Sequence, residues 1–120
     1  MVKVLIVDDA KFMRSLIRKS LEEAGFEVVG EAENGDQAIE LLKSTDPDVV
    51  TLDIVMPDKN GLEVLREMLK IKPNLNVIIV SAMGQTDIIA EALRIGAKDY
   101  VIKPFQPQVV VDVIRRVLGI

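Results

Sequence analysis

Asp48-Val-Val-Thr-Leu-Asp-Ile-Val-Met-Pro57 contains an unbroken β-prone run, Val49 to Leu52, that ends on a carboxylate. A short run of this kind, without alternation, is the pattern of a strand covered on both faces, and such strands belong to parallel sheets flanked by helices. Asp53 needs a justification. At the tip of a buried strand a carboxylate is costly unless it is paired, protonated or metal-bound. Pro57 forbids further sheet pairing and Asn60-Gly61 makes a turn, so Asp53 stands where strand gives way to loop. In open α/β sheets the carboxyl ends of the strands are where ligands bind.

Outward from this segment, apolar runs alternate with amphipathic stretches. Val2 to Val7 reads as the first strand and Lys11 to Ala24 as a helix with Met13, Leu16, Ile17 and Leu21 on one face, closed by Gly25. Phe26 to Glu31 is a second strand, mixed enough for a sheet edge. Gly35 to Ser44 is a second helix, with Ala38, Ile39, Leu41 and Leu42 inward. A third helix turns Leu62, Leu65 and Leu69 inward and stops near Lys72-Pro73, because proline disfavours helix in the residue before it. Val77 to Ser81 is the fourth strand. Thr86 to Ile95 is the fourth helix, its Ile88, Ile89, Ala92 and Leu93 read as core, with Gly96 as its stop. Tyr100 to Ile102 is the last strand. Val109-Val110-Val111 favours a strand by propensity, but Val110, Val113, Ile114 and Val117 recur at helical spacing, Pro107 suits a helix start and Gly119 a helix end. The reading is α/β: a doubly wound, five-stranded parallel sheet in the flavodoxin-like order 2-1-3-4-5, with helices on both faces.

Composition narrows the function. The 120 residues suffice for one domain, 49% of them are hydrophobic, and there is neither Cys nor His, so disulfides and thiolate or imidazole metal sites are excluded. The apolar N-terminal run is too short for a signal peptide or a membrane span, and a cytoplasmic protein is expected. The net charge is −4 and the 15 basic residues are scattered, which argues against nucleic acid as a partner. No linker or repeat divides the chain, so residues 1–120 are read as one domain with no output domain.

The predicted strand ends bring chemistry to one place. The first strand ends in Asp8-Asp9, the third in Asp53, the fourth in Ser81-Ala82 and the fifth in Lys103-Pro104. In the order 2-1-3-4-5 the first and third strands are neighbours, so three carboxylates converge. Two like charges about 5 Å apart repel by roughly 3 kcal/mol at an effective dielectric of 20. A cation is required, and an all-oxygen ligand set selects a hard divalent ion, with Mg²⁺ favoured. Such a site suits phosphoryl transfer: Asp53, on the central strand, is the candidate nucleophile, with Ser81 and Lys103 placed to meet the added oxygens.

Ile6-Val-Asp-Asp-Ala10, Phe12-Met-Arg14, Asp53 with Met56-Pro57, Ser81-Ala-Met-Gly-Gln85, Gly96-Ala-Lys-Asp99 and Lys103-Pro-Phe-Gln-Pro107 span the chain in this order. Together they resemble the receiver domain of bacterial two-component response regulators, and within that family the single-domain chemotaxis regulators of Gram-positive, thermophile and archaeal style. The resemblance implies that Asp53 takes a phosphoryl group from a histidine kinase. It implies Asp9 as the direct carboxylate ligand of Mg²⁺, Asp8 acting through water, and the Val55 carbonyl as a further ligand. It implies that Tyr100 follows an inward move of Ser81, that the Lys103-Pro104 bond is cis, and that a face carrying Arg94, Lys98, Tyr100 and Asp112 meets a flagellar or archaellar motor switch. Val55 and Met83 flank the path of a hydrolytic water and cannot orient it, so slow autodephosphorylation and a separate phosphatase are expected.

Each residue alone has an ordinary explanation. Asp8 or Asp9 could cap the first helix. Ser81 could bond backbone, Lys103 could be a solvated amine, Tyr100 could be packing, and Met13 and Met83 could fill gaps. Their agreement across four strand ends favours the joint reading. Rival functions are a haloacid dehalogenase-type phosphohydrolase, which needs Asp-x-Asp where this chain has Asp8-Asp9-Ala10, and a flavodoxin, whose phosphate would be repelled by the acid after the first strand. Within the receiver reading the alternative is a phosphorelay intermediate that passes phosphate to a histidine phosphotransferase.

Overall fold

The computed structural model describes residues 1–120. Five strands, β1 (Lys3–Val7), β2 (Glu27–Ala32), β3 (Val49–Asp53), β4 (Asn76–Ala82) and β5 (Asp99–Lys103), alternate with five helices. The helices are α1 (Lys11–Glu23), α2 (Gly35–Thr45), α3 (Gly61–Ile71), α4 (Thr86–Ile95) and α5 (Pro107–Leu118). Every strand pairing is parallel and the order is β2-β1-β3-β4-β5, as expected from the sequence. β3 lies at the centre with all five residues buried.

Alternation along the strands divides the core between two layers. Leu5, Val50, Leu52, Val77 and Ile79 face α2, α3 and α4, in a cluster with Val64, Leu65 and Met68. Val4, Ile6, Val49 and Ile78 face α1 and α5, in a cluster with Ile17, Leu21, Val110 and Ile114. Asp53 has the parity of Val49, which aims it toward the α1/α5 side at the carboxyl edge of the sheet.

α5 is a helix despite its Val run. Its four fully apolar contacts, Val110, Val111, Val113 and Ile114, are buried. Tertiary burial outweighs a propensity difference of a few tenths of a kcal/mol per residue. In α3 Leu65 is buried beside Val64 and Met68, and Leu62 and Leu69 pack partly buried against the same cluster, so the inward face holds and gains Val64 and Met68. The inward face of α4 needs correction. In α4 only Ile89 and Ala92 are buried; Leu93 is exposed, since α4 touches the sheet along a narrow stripe.

α3 begins in a close contact at Gly61. A Cβ there would lie 2.3 Å from the Ile54 carbonyl oxygen, and the Gly61 N–H donates to the same oxygen at 3.0 Å. Only glycine lets α3 start directly against the residue after Asp53.

Candidate functional site at the carboxyl edge

Asp8, Asp53 and Ser81 are the buried ionisable or hydroxyl groups at this edge, with exposures of 1%, 6% and 0%. Asp8, Asp9 and Asp53 each offer a carboxylate oxygen, and the three oxygens lie within 4.8 Å of one another. Lys103 reaches in from the end of β5: its Nζ donates to Asp53 Oδ2 at 3.0 Å and to Asp8 Oδ2 at 3.1 Å. One ammonium against three carboxylates leaves the cluster short of positive charge. The counter-ion expected from the sequence is therefore supplied in part by Lys103 itself, which the sequence placed only on the phosphoryl side.

The individual carboxylates are held differently. Asp8 Oδ1 accepts from the Ala10 N–H at 2.8 Å and Oδ2 accepts from Lys103, so both its oxygens are engaged. Asp9 is exposed and is in none of the chain's ion pairs. Asp53 Oδ1 accepts from the Val55 N–H at 3.1 Å. Neither Asp8 nor Asp9 caps the first helix: the N-cap of α1 is Ala10, without a side-chain hydrogen bond. The acidic pair is thus free of that structural duty.

Burial pushes the Asp53 carboxyl above its ordinary value, helped by the neighbouring Asp8 charge and opposed by the Val55 N–H and Lys103. Burial alone would lower Lys103, but its hydrogen bonds and attraction to Asp53, then Asp8, outweigh this and hold the ammonium above the usual lysine range. Lys103 is therefore charged at neutral pH. The Lys103-Pro104 bond is cis.

An oxygen-only cluster of two buried carboxylates and one exposed one fits a hard cation better than any soft metal. Between the β3–α3 loop and α4, Val55, Met56, Pro57, Leu62 and Ile88 line an open cleft of 450 Å³ beside the cluster. Val55 is 58% and Met83 74% exposed, so neither side chain is committed to the core. Tyr100 lies on β5, 41% exposed, in a second cleft of 700 Å³ with Ile102, Val109, Asp112 and Arg116.

Several supporting residues carried no role in the sequence reading. Arg14 Nη1 donates to the Asp8 carbonyl oxygen at 2.7 Å and its Nε pairs with Glu31 at 3.1 Å, bracing the end of β1 against β2. Asp58 accepts from the N–H groups of Gly35 and Asp36 at 2.8 and 3.1 Å, tying the loop after Asp53 to the start of α2. Gln85 accepts from the Ala82 N–H at 2.8 Å and from the Ser81 hydroxyl. Arg14 reaches Glu31 17 residues away and Asp58 reaches Gly35 23 residues away, separations that sequence spacing does not rank, whereas the spacing of four between Ser81 and Gln85 was visible.

A response regulator receiver domain model matches residues 4–115. The chain is 50% identical over 115 residues to the chemotaxis protein CheY of Thermotoga maritima, covering 96% of each. It is 47% identical over 117 residues to the chemotaxis protein CheY of Bacillus subtilis, covering 98% of each. Among solved structures, a response regulator receiver domain protein from Clostridium thermocellum superposes with a TM-score of 0.92 at 30% identity, covering 99% of this chain and 95% of that one.

Proposed function

This chain belongs to the response regulator receiver family and is CheY-like, and from that premise we propose that it is a phosphorylation-activated switch loaded at Asp53 by a histidine kinase. The observation that carries the reading is the Asp53 carboxylate, buried yet supplied with a charged lysine and two further carboxylates at the end of the central strand. An Asp53 oxygen attacks phosphorus as the bond from phosphorus to the donor nitrogen breaks, and the electron pair leaves with the imidazole. Asp9, Asp53 and the Val55 carbonyl would hold Mg²⁺, with Asp8 acting through water, and the ion would supply charge neutralisation for the phosphoryl oxygens. Lys103 pairs with one oxygen of the adduct and Ser81 donates to another.

The output face is formed by α4, β5 and α5, where Arg94, Lys98, Tyr100 and Asp112 are all exposed. The CheY relatives are chemotaxis proteins, which supports a motor switch as target, and the exposed apolar side chains of Val55 and Met83, which offer no group to orient a hydrolytic water, support a dedicated phosphatase for reset. The phosphorelay alternative requires phosphate to pass onward to a histidine phosphotransferase. Acetyl phosphate with Mg²⁺ tests the core reading: mass spectrometry finds one phosphoryl group on the wild type and none on Asp53→Asn. Multiple turnover, or labelling that survives Asp53→Asn, overturns it. Pull-down with the beryllofluoride-loaded protein separates the two outputs, because recovery of a histidine phosphotransferase instead of a motor component rules out the chemotaxis assignment.

A further inference from the structure

Ser81 is fully buried at the end of β4, yet its hydroxyl does not point to Asp53 or Lys103. Its hydrogen bonds run to the Gln85 side chain and, at 3.4 Å, to the Ala82 carbonyl. The orientation of the Gln85 amide is set by the Ala82 N–H, which can only donate; the amide oxygen therefore faces it, and the Ser81 hydroxyl donates to that same oxygen. Gln85 is the N-cap of α4, but its side chain caps nothing in that helix. Gly84, at φ +86°, folds the three-residue loop back so that the amide reaches β4 instead.

We propose that Gln85 is a positioning residue, a latch that holds the Ser81 hydroxyl on the β4–α4 loop until a phosphoryl group on Asp53 competes for it. This rests on the reading of Asp53 as phosphoacceptor. The hydroxyl has one proton to give, so donation to Gln85 and donation to a phosphoryl oxygen exclude each other. The latch biases the free protein toward its unswitched form, and a bias of this kind shows as weaker apparent affinity for whatever the switched form binds.

The test is a titration of the Mg²⁺-loaded protein with beryllofluoride, followed by calorimetry, in wild type, Gln85→Ala, Gln85→Glu, Ser81→Ala and the Ser81→Ala/Gln85→Ala pair. Removing one neutral hydrogen bond from the free state strengthens binding roughly three- to tenfold in Gln85→Ala. Gln85→Glu keeps an acceptor and strengthens it, so binding weakens. In the Ser81→Ala background the Gln85→Ala change has no effect. A loop that is merely loosened would respond equally with or without Ser81, and that result overturns the latch while leaving Asp53 as acceptor. In the metal-free protein the Ala82 amide proton exchanges faster in Gln85→Ala and stays protected in Gln85→Glu; an unchanged Ala82 signal in both also overturns it. Absence of beryllofluoride binding by the wild type is a separate outcome, and it removes the phosphoacceptor reading and the latch together.

Discussion

Asp53 and Thr51 lie two residues apart on the same face of β3, and both are polar groups in a buried strand. Their situations differ. Asp53 has a donor for each oxygen, the Val55 N–H and the Lys103 ammonium. The Thr51 hydroxyl is buried without any hydrogen-bond partner. Leaving a hydroxyl unpaired in an apolar layer costs free energy, and valine has the same branching without it. Thr51→Val should therefore stabilise the fold by about 1–2 kcal/mol, read as an increase in the urea midpoint with an unchanged slope. A loss of stability would mean that the hydroxyl is satisfied in solution. Val55 bears on the lifetime of the switch. Its exposed side chain stands next to the acceptor and offers no polar atom, so Val55→Asn should shorten the life of the phosphorylated state severalfold in the presence of Mg²⁺; a lifetime equal to or longer than wild type counts against slow reset by an apolar flank.

At the level of elements, the loop after β3 is held from both sides. Asn60 caps α3 through the Leu62 N–H at 2.8 Å, and Asp58 takes the first two N–H groups of α2. The Gly35 N–H, then that of Asp36, hold Asp58 below the ordinary carboxylate range, and the positive end of the helix dipole acts in the same direction. A lowered folded-state value means stability that is present above the unfolded value and lost as pH falls through the folded one. Asp58→Ala should therefore lower Tm by a few degrees at pH 7, with the gap to wild type closing at pH well below the usual carboxylate value of 3.8. A gap that persists in acid would show that Asp58 acts through packing alone. None of this anchoring was visible in sequence, because Asp58 and Gly35 are 23 residues apart and belong to different helical connections. The helix start at Pro107 and the stop at Gly96 were legible, since capping and chain reversal depend on neighbours in the chain.

Across the whole molecule, the acidic cluster trades stability for readiness. The raised Asp53 value means that its contribution is favourable below the unfolded value near 3.8 and is lost as pH rises through the folded one, where burial and the Asp8 charge weigh against the ionised form. Lys103, raised in turn, keeps its contribution until strongly alkaline pH. A divalent cation should relieve the strain: Mg²⁺ at a hundred times its dissociation constant adds about 2.7 kcal/mol. Thermal melts at pH 7 should rise with Mg²⁺ and fall back with chelator, with a smaller response below the carboxylate range where protons compete for the ligands. No response at pH 7 would remove the cluster as a Mg²⁺ site.

The amino-acid sequence by itself determined the class of fold, the strand order and the residues that end each strand. Hydrophobic period, glycine and proline are local signals, and parallel strands joined by helices admit few topologies. The tertiary structure alone decided which faces of α3 and α4 are deepest and that Lys103 spans Asp8 and Asp53. It also decided that Ser81 is turned to Gln85 and not to the acceptor. These are matters of helix rotation and of a few ångströms across the sheet edge. Many side chains compete there for the same partners, and their spacing along the chain does not rank them.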